Sequence, residues 1–383
     1  MKDNLFARAL KKMGIYQEGK LDIGFFSLVF ILLAIGLVML FSASYAYCYA
    51  QFNNSYHFIL RQALFAVIGV VVMLILSRID CDVYRKFSFV IYILAVLMLV
   101  LVLALPPMQA GMEHKRWLVI GSFSFQPSEI GKFSVILLFS HLIAKYNKKM
   151  GNVKFVLTLV LLLALVCGLV VVETHLSATI LILFIGIVLM IVGGLAVKYI
   201  IGGAITAGVA IVLVVVTGLV DYAASRFQYW LDPWADATGK GYQTIQSLLA
   251  IGSGGLLGRG IGQSRQKYSW LPEPHNDFIF SIVCEELGLI GAMIIVVLFC
   301  LLVWRGFSIA MHSPSKYKSL MAVGLTFQVA LQAALNIMVV TNTIPNTGIS
   351  LPFFSYGGTA LIILLAEMGI VMSISRSANL EKV

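Results

Sequence analysis

A chain of 383 residues that is 60% hydrophobic and only 11% charged lies far from the roughly one-quarter charged residues of a soluble domain, which excludes an ordinary globular protein. Its formal net charge of +10 comes from 27 Lys and Arg spread over many short connections, a pattern that argues against nucleic acid as a partner and for the positive-inside bias of a membrane protein. Apolar runs of about 18 or more residues, enough for a bilayer core of roughly 30 Å, recur along the chain, and they are continuous rather than alternating, so helices and not a β-barrel are expected.

Residues 1–22 carry Lys2, Arg8, Lys11, Lys12 and Lys20 and are expected to stay in the cytoplasm. Leu5, Phe6, Leu10 and Met13 among these bases also suit an interfacial helix. The first apolar run lacks a small-residue cleavage site, so no cleavable signal is expected. Ten spans are predicted, at about 23–46, 57–77, 87–105, 127–145, 155–172, 175–193, 199–220, 277–303, 319–340 and 355–375. The expected architecture is therefore all-α and polytopic, one transmembrane domain over 23–375 with a short tail at 376–383 and both termini cytoplasmic. In this topology 18 of the 27 Lys and Arg fall on the inner side. Two sizeable extracytoplasmic loops result, about 106–126 and 221–276, the larger between spans 7 and 8, and four of the five tryptophans fall in them. The five cysteines, at 48, 81, 167, 284 and 300, form no CxxC pair and read as small buried hydrophobes.

Polar residues that a lipid-facing helix cannot explain gather in a few places. Pro127 and Ser128 are ordinary helix-start residues, but Lys132 falls a full turn inside a span and three residues after Glu129, on the same face. A charge at that depth is paired or lines a wet cavity, so a cavity-facing pair and a purely structural ion pair both stand. Glu173-Thr174-His175, at a turn between two spans, suits either a proton relay or the capping of two helix ends. The glycine run Gly252-Ser-Gly254-Gly255-Leu-Leu-Gly258-Arg259-Gly260 has no Gly-Lys-Ser/Thr ending and no βαβ context, which excludes a nucleotide loop. Close backbone approach to an extended ligand, with Arg259, Arg265 and Lys267 facing its phosphates, is one reading, and a flexible turn is the other. In Trp270–Gly291 two prolines, Glu273, His275, Asn276 and Asp277 lead into an apolar helix. Asp277 is either an N-cap or a partly desolvated base. Glu285 and Glu286, about two turns on, are expected to pair with a neighbouring helix. The proline and glycine break at Leu351–Thr359 belongs beside the same cavity.

Five segments, FQPSEIGK, YQTIQSLLAIGSGGLLGRG, GQSRQKYSWLPEPHNDFIF, EELGLIG and LPFFSYGGTALI, occur in order and together resemble the motifs of the SEDS family (shape, elongation, division, sporulation), its FtsW and SpoVE branch more than RodA. The resemblance covers essentially the whole chain. It implies a peptidoglycan glycosyltransferase of the bacterial cytoplasmic membrane that polymerises lipid II on the extracytoplasmic face. Undecaprenyl pyrophosphate is released from a growing lipid-linked glycan. The implied partners are a class B penicillin-binding protein (transpeptidase), other divisome proteins and membrane lipids. The family's catalytic aspartate corresponds to Asp277, which would act as general base. With no second carboxylate evident as nucleophile, inversion in a single displacement is expected. The expected substrate-binding residues are Arg116, Gln126, Glu129, Lys132, Arg259, Arg265, Lys267, Glu273, His275, Ser355 and Gly357. No cofactor is demanded; a divalent cation, Mg or Mn, stays open and no metal ligands are identified. Glu173-Thr-His175 departs from the proline and aspartate of many members. A lipid II flippase using Glu129, Lys132, Glu173 and Glu285 is the rival, and a non-catalytic scaffold is a third reading.

Overall fold

The computed structural model describes residues 16–105, 116–120, 123–203, 229–239, 241–268 and 270–379. Helix α1 (Ile23–Phe52) starts where the Asp22 carboxylate accepts the Phe25 N–H at 2.7 Å, and it ends at Asn53 in a left-handed conformation. Its 30 residues reach about 45 Å, longer than a bilayer core is thick. Helices α2 (His57–Leu76) and α3 (Cys81–Ala104) follow. A two-stranded antiparallel hairpin, β1 (Leu118–Ile120) and β2 (Phe123–Phe125), then adds a small strand element to the all-α expectation. Pro127 occupies the first turn of α4 (Pro127–Lys145), as its fixed φ and missing N–H favour. Helices α5 (Val153–Val172) and α6 (Leu176–Val192) come next. After them lie the amphipathic α7 (Tyr242–Gly254), α8 (Ile279–Met311), α9 (Lys316–Val340) and α10 (Gly358–Ser377).

Among the described residues seven helices, α1, α2, α3, α5, α8, α9 and α10, are long and apolar enough to cross a membrane. Their outward faces carry exposed Leu60, Leu64, Val67 and Val71 on α2 and Leu157 and Leu161 on α5, an apolar surface that lipid and not water would cover. The chain is thus a multi-pass helical membrane protein. The expected fourth span, α4, is excluded from that count by its polar side chains, which it can carry because α3, α6 and α9 surround it; Val135 to Phe139 are all fully buried. The sixth, α6, has only 17 residues. The predicted seventh span lies outside the described residues beyond 203, as does the proposed interfacial helix before 16.

The start of α1 and the end of α10 meet at one end of the bundle. Arg376 donates to the carbonyls of Gly19 and Ser77, each at 2.8 Å, Asp22 pairs with Arg305 at 2.7 Å, and Lys318 pairs with Asp80 at 2.9 Å. At the opposite end lie the hairpin, the 173–175 turn, α7 and the loops before α8 and α10.

Helix α8 is broken at Gly288, which sits at φ 67 and ψ −171. The segment 255–260 inserts its backbone into the break: Arg259 and Gly260 N–H donate to the carbonyls of Glu285 and Glu286, while Leu289 and Ile290 N–H donate to the carbonyls of Gly255 and Leu256. All four bonds span 2.9 to 3.1 Å. A Cβ on Gly288 would stand 2.2 Å from the Gly258 nitrogen, and one on Gly258 would stand 2.2 Å from the Glu286 oxygen. The glycine run therefore serves close backbone approach, as its composition suggests, and the surface approached is α8.

Candidate active site

A cavity of about 390 Å³ opens at the loop end, walled by the hairpin, α4, α6, α9, α10 and the approach to α8. Asp277 stands on its wall one residue before the Phe278 cap, and that cap makes no side-chain hydrogen bond, so Asp277 does not cap the helix. Among the described residues no donor bonds its carboxylate. What is held is its backbone. Asn336 Nδ2 bridges the carbonyls of Asp277 at 2.7 Å and Ile349 at 2.6 Å. Ser355 Oγ donates to the Asn276 carbonyl at 2.7 Å, and Tyr356 N–H donates to the His275 carbonyl at 2.9 Å. The break before α10 is thereby stapled to the elbow before α8. Gly348, at φ +70, lies so close that a Cβ would stand 3.1 Å from Asp277 Oδ2. Burial and then the Glu273 carboxylate push the Asp277 carboxyl up to about 6, while Arg116 pulls the other way.

Facing this wall, Lys132 pairs with Glu129 at 2.8 Å and reaches Gln332 at 3.4 Å. Both charged residues line the cavity, as do Arg116, Gln126 and Glu273. Arg116 Nη2 donates to the Thr174 carbonyl at 2.6 Å, which docks the hairpin on the 173–175 turn. His175 joins the cavity wall with Nδ1 3.1 Å from Gln126 Nε2; burial, Arg116 and Lys132 hold it down to about 3, so it is neutral. Glu173 is buried behind it, pushed up to about 8 by burial.

Other expected site residues lie elsewhere. Lys267 is fully buried outside the cavity, its ammonium 3.0 Å from Glu286 and 2.7 Å from the Gly262 carbonyl, because the loop needs a cation there to neutralise a buried carboxylate. Arg259 stands 3.8 Å from Glu285, and the Arg265 backbone N–H donates to that same carboxylate at 2.9 Å; neither residue lines the cavity. Glu285 and Glu286 do pair, but chiefly with the 264–267 loop, which supplies Ser264 Oγ at 2.5 Å and Lys267; α1 contributes Ser42 Oγ at 2.6 Å. His275 packs among Tyr47, Phe58 and Tyr356 instead of facing the cavity, and burial holds it down to about 4. Ser355 and Gly357 line the cavity, yet their polar groups are engaged within the fold: Ser355 Oγ accepts from Leu351 N–H at 2.7 Å, and Gly357 N–H donates to the Gln62 side-chain oxygen at 3.2 Å.

The residues that sequence reading missed are Gln328, Gln332 and Asn336, spaced by four along α9. They form a single polar stripe in a buried helix, and that spacing is the signal that could have found them. Among the described residues no cluster of three or more His, Cys, Asp or Glu could cage a metal ion. Asp277 and Glu273 offer two carboxylates, which fits a hard cation shared with a ligand's phosphate oxygens.

A family model described as a cell cycle protein of the FtsW, RodA and SpoVE type matches residues 23–380. The chain is 39% identical over 358 residues to the Stage V sporulation protein E of Bacillus subtilis, covering 90% of this chain and 94% of that one. It is 34% identical over 368 residues to a probable peptidoglycan glycosyltransferase FtsW of Geobacter metallireducens, covering 95% and 97%. A solved structure described as the structural coordination of polymerization and crosslinking by a peptidoglycan synthase complex is similar at a TM-score of 0.78 and 28% identity, over 93% of this chain and 98% of that one. The crystal structure of RodA from Thermus thermophilus is similar at 0.69 and 26%, over 94% and 98%.

Proposed function

The chain belongs to the FtsW, RodA and SpoVE family of cell cycle proteins, and from that premise we infer a peptidoglycan glycosyltransferase that builds glycan strands in the membrane. The observation that carries the reading is Asp277, a carboxylate to which no described residue donates, on the wall of a cavity that also presents Lys132 and Arg116. In the proposed reaction the acceptor's sugar hydroxyl attacks the anomeric carbon of lipid II or of the lipid-linked glycan. The bond to the donor pyrophosphate breaks as the new glycosidic bond forms. Asp277 takes the hydroxyl proton; a carboxyl pushed up to about 6 is a stronger base than an ordinary one yet still ionised at neutral pH. Lys132 and Arg116 neutralise the charge growing on the undecaprenyl pyrophosphate. Glu129 and Gln332 aim the Lys132 ammonium, and Gln126 fixes the His175 ring. With Asp277 the single carboxylate assigned to the chemistry, one displacement with inversion follows. A divalent cation, Mg or Mn, would be held by Glu273 and the substrate's own phosphate oxygens, leaving Asp277 free to act as base, and would supply further positive charge there.

The cavity end is assigned to the extracytoplasmic face. The basic residues of the described connections and helix ends at the other end, among them Lys20, Arg78, Arg85, Lys148, Lys318 and Arg376, support this. Ten crossings complete the topology, and the Arg376 to Gly19 contact at 2.8 Å supports an even number, since α1 starts and α10 ends on one side. A class B penicillin-binding protein is the partner, in keeping with the synthase complex that the fold resembles, and other division or sporulation proteins act with it. A flippase would need its deep acids along an open path, whereas Glu285 and Glu286 are sealed by the 264–267 loop.

The test is polymerisation of lipid II by the full chain in lipid vesicles with its cognate transpeptidase. Asp277→Asn is expected to abolish glycan synthesis. A variant working at the parental rate would sink the base assignment, and lipid translocation without glycan under every partner condition would favour the flippase.

A further inference from the structure

Beneath the cavity floor lies an acid that the reaction does not use. Glu367 sits on α10, 1% exposed, in a stretch that is otherwise apolar from Ala360 to Met372. An ionised carboxylate at such a place is costly unless paired. Its partner is an amide: Gln328 Nε2 donates to Glu367 Oε2 at 2.8 Å. The remaining oxygens, Glu367 Oε1 and Gln328 Oε1, are both buried without a hydrogen-bond partner. These two orphans belong to the two groups already joined. A carboxylic acid and a primary amide pair through two parallel hydrogen bonds, N–H to oxygen and O–H to oxygen. One is present, and a proton on Glu367 is the donor that the other requires; an ionised carboxylate leaves two acceptors with no donor.

The charges around it oppose each other: the Lys132 ammonium favours an ionised Glu367 and the Glu129 carboxylate a neutral one. Lys132 and Glu129, both on α4, are the charged groups that act on Glu367. On its other sides, α9 contributes Gln328, and α2 meets this stretch of α10 through Gly69 and Met73. Lys132 is already held 2.8 Å from Glu129. With Glu367 neutral the buried set carries no net charge and the ammonium stays toward the cavity. With Glu367 ionised, two carboxylates compete for one ammonium beneath a site that must receive a pyrophosphate.

We propose that Glu367 is carried as a neutral carboxylic acid paired with the Gln328 amide, a positioning device that fixes Gln328 in the cavity wall and reserves Lys132 for Glu129 and an anionic substrate. The last clause rests on the glycosyltransferase reading; the protonation does not. Infrared difference spectroscopy of the full chain in lipid vesicles, parent against Glu367→Gln, separates the two. The carbonyl band of a protonated acid is expected in the parent at neutral pH and absent from the variant; a carboxylate band in its place overturns the pairing whatever the activity. In lipid II polymerisation, Glu367→Gln can rebuild both parallel bonds as an amide pair and is expected to keep the parental KM. Glu367→Leu, losing them, is expected to raise KM about fivefold with kcat little changed. A raised KM in the conservative variant, or an unchanged one in Glu367→Leu, overturns the positioning role. If the parent itself makes no glycan, the glycosyltransferase reading fails, and the infrared band still decides the state of Glu367.

Discussion

Replacing Asp277 with Asn is expected to stabilise the protein while removing its chemistry. Among the described residues none donates to its carboxyl, and burial and Glu273 outweigh Arg116 in moving it from the ordinary 3.8 to about 6. That difference corresponds to roughly 3 kcal/mol between the ionised and neutral forms. Because the carboxylate is partly open to the cavity, solvent screening leaves on the order of 1–2 kcal/mol. The sign follows from linkage: the folded value lies above the unfolded one, so the stability present below the ordinary 3.8 is lost as pH rises through about 6. Asn is neutral throughout. Its advantage over the parent should be greatest well above pH 6, shrink as pH falls through that value and vanish toward 3.8. Thermal unfolding of both proteins in nanodiscs at stepped pH measures this. Polymerisation in the same samples should fall by about 10²–10⁴-fold at neutral pH, the usual contribution of a general base. A variant no more stable than the parent above neutral pH, or one whose gain does not change with pH, would refute the desolvated-carboxylate account.

Gly288→Ala should cost at least about 1–3 kcal/mol from its backbone conformation alone, and more because its Cβ would meet the Gly258 nitrogen at 2.2 Å; the yield of monodisperse protein after extraction reads this out. Lys267→Met strands Glu286 without its cation and should lower stability by about 3–5 kcal/mol, whereas adding Glu286→Leu should recover much of the loss in the same melting assay. Ser355→Ala removes the donor to Asn276 and the acceptor for Leu351, and a loss of about 1–3 kcal/mol with slower polymerisation is expected because the Asp277 elbow is released. Unchanged melting and rate would show that the staple does not hold Asp277.

The membrane class, seven of the helical spans and the start of α4 at Pro127 were legible because each depends on a contiguous stretch: apolar length or first-turn chemistry. Glu129 and Lys132 were legible as a pair for the same reason, three residues on one helix face. Asp277 stood out because prolines and polar residues crowd ahead of an apolar run. Partner choice across the fold was not legible. Arg259, Arg265 and Lys267 look like phosphate ligands in a linear reading, but the break in α8 leaves buried carboxylates and backbone groups with which this loop pairs. Likewise Gln332, Asn336 and Ser355 reach the site from residues far along the chain, and no local pattern states which carbonyls they will meet. Sequence by itself determined that a polar elbow enters a membrane helix at Asp277. Tertiary structure decided that its carboxylate is left without a donor, because the neighbouring hydrogen bonds close on backbone and burial then raises its proton affinity.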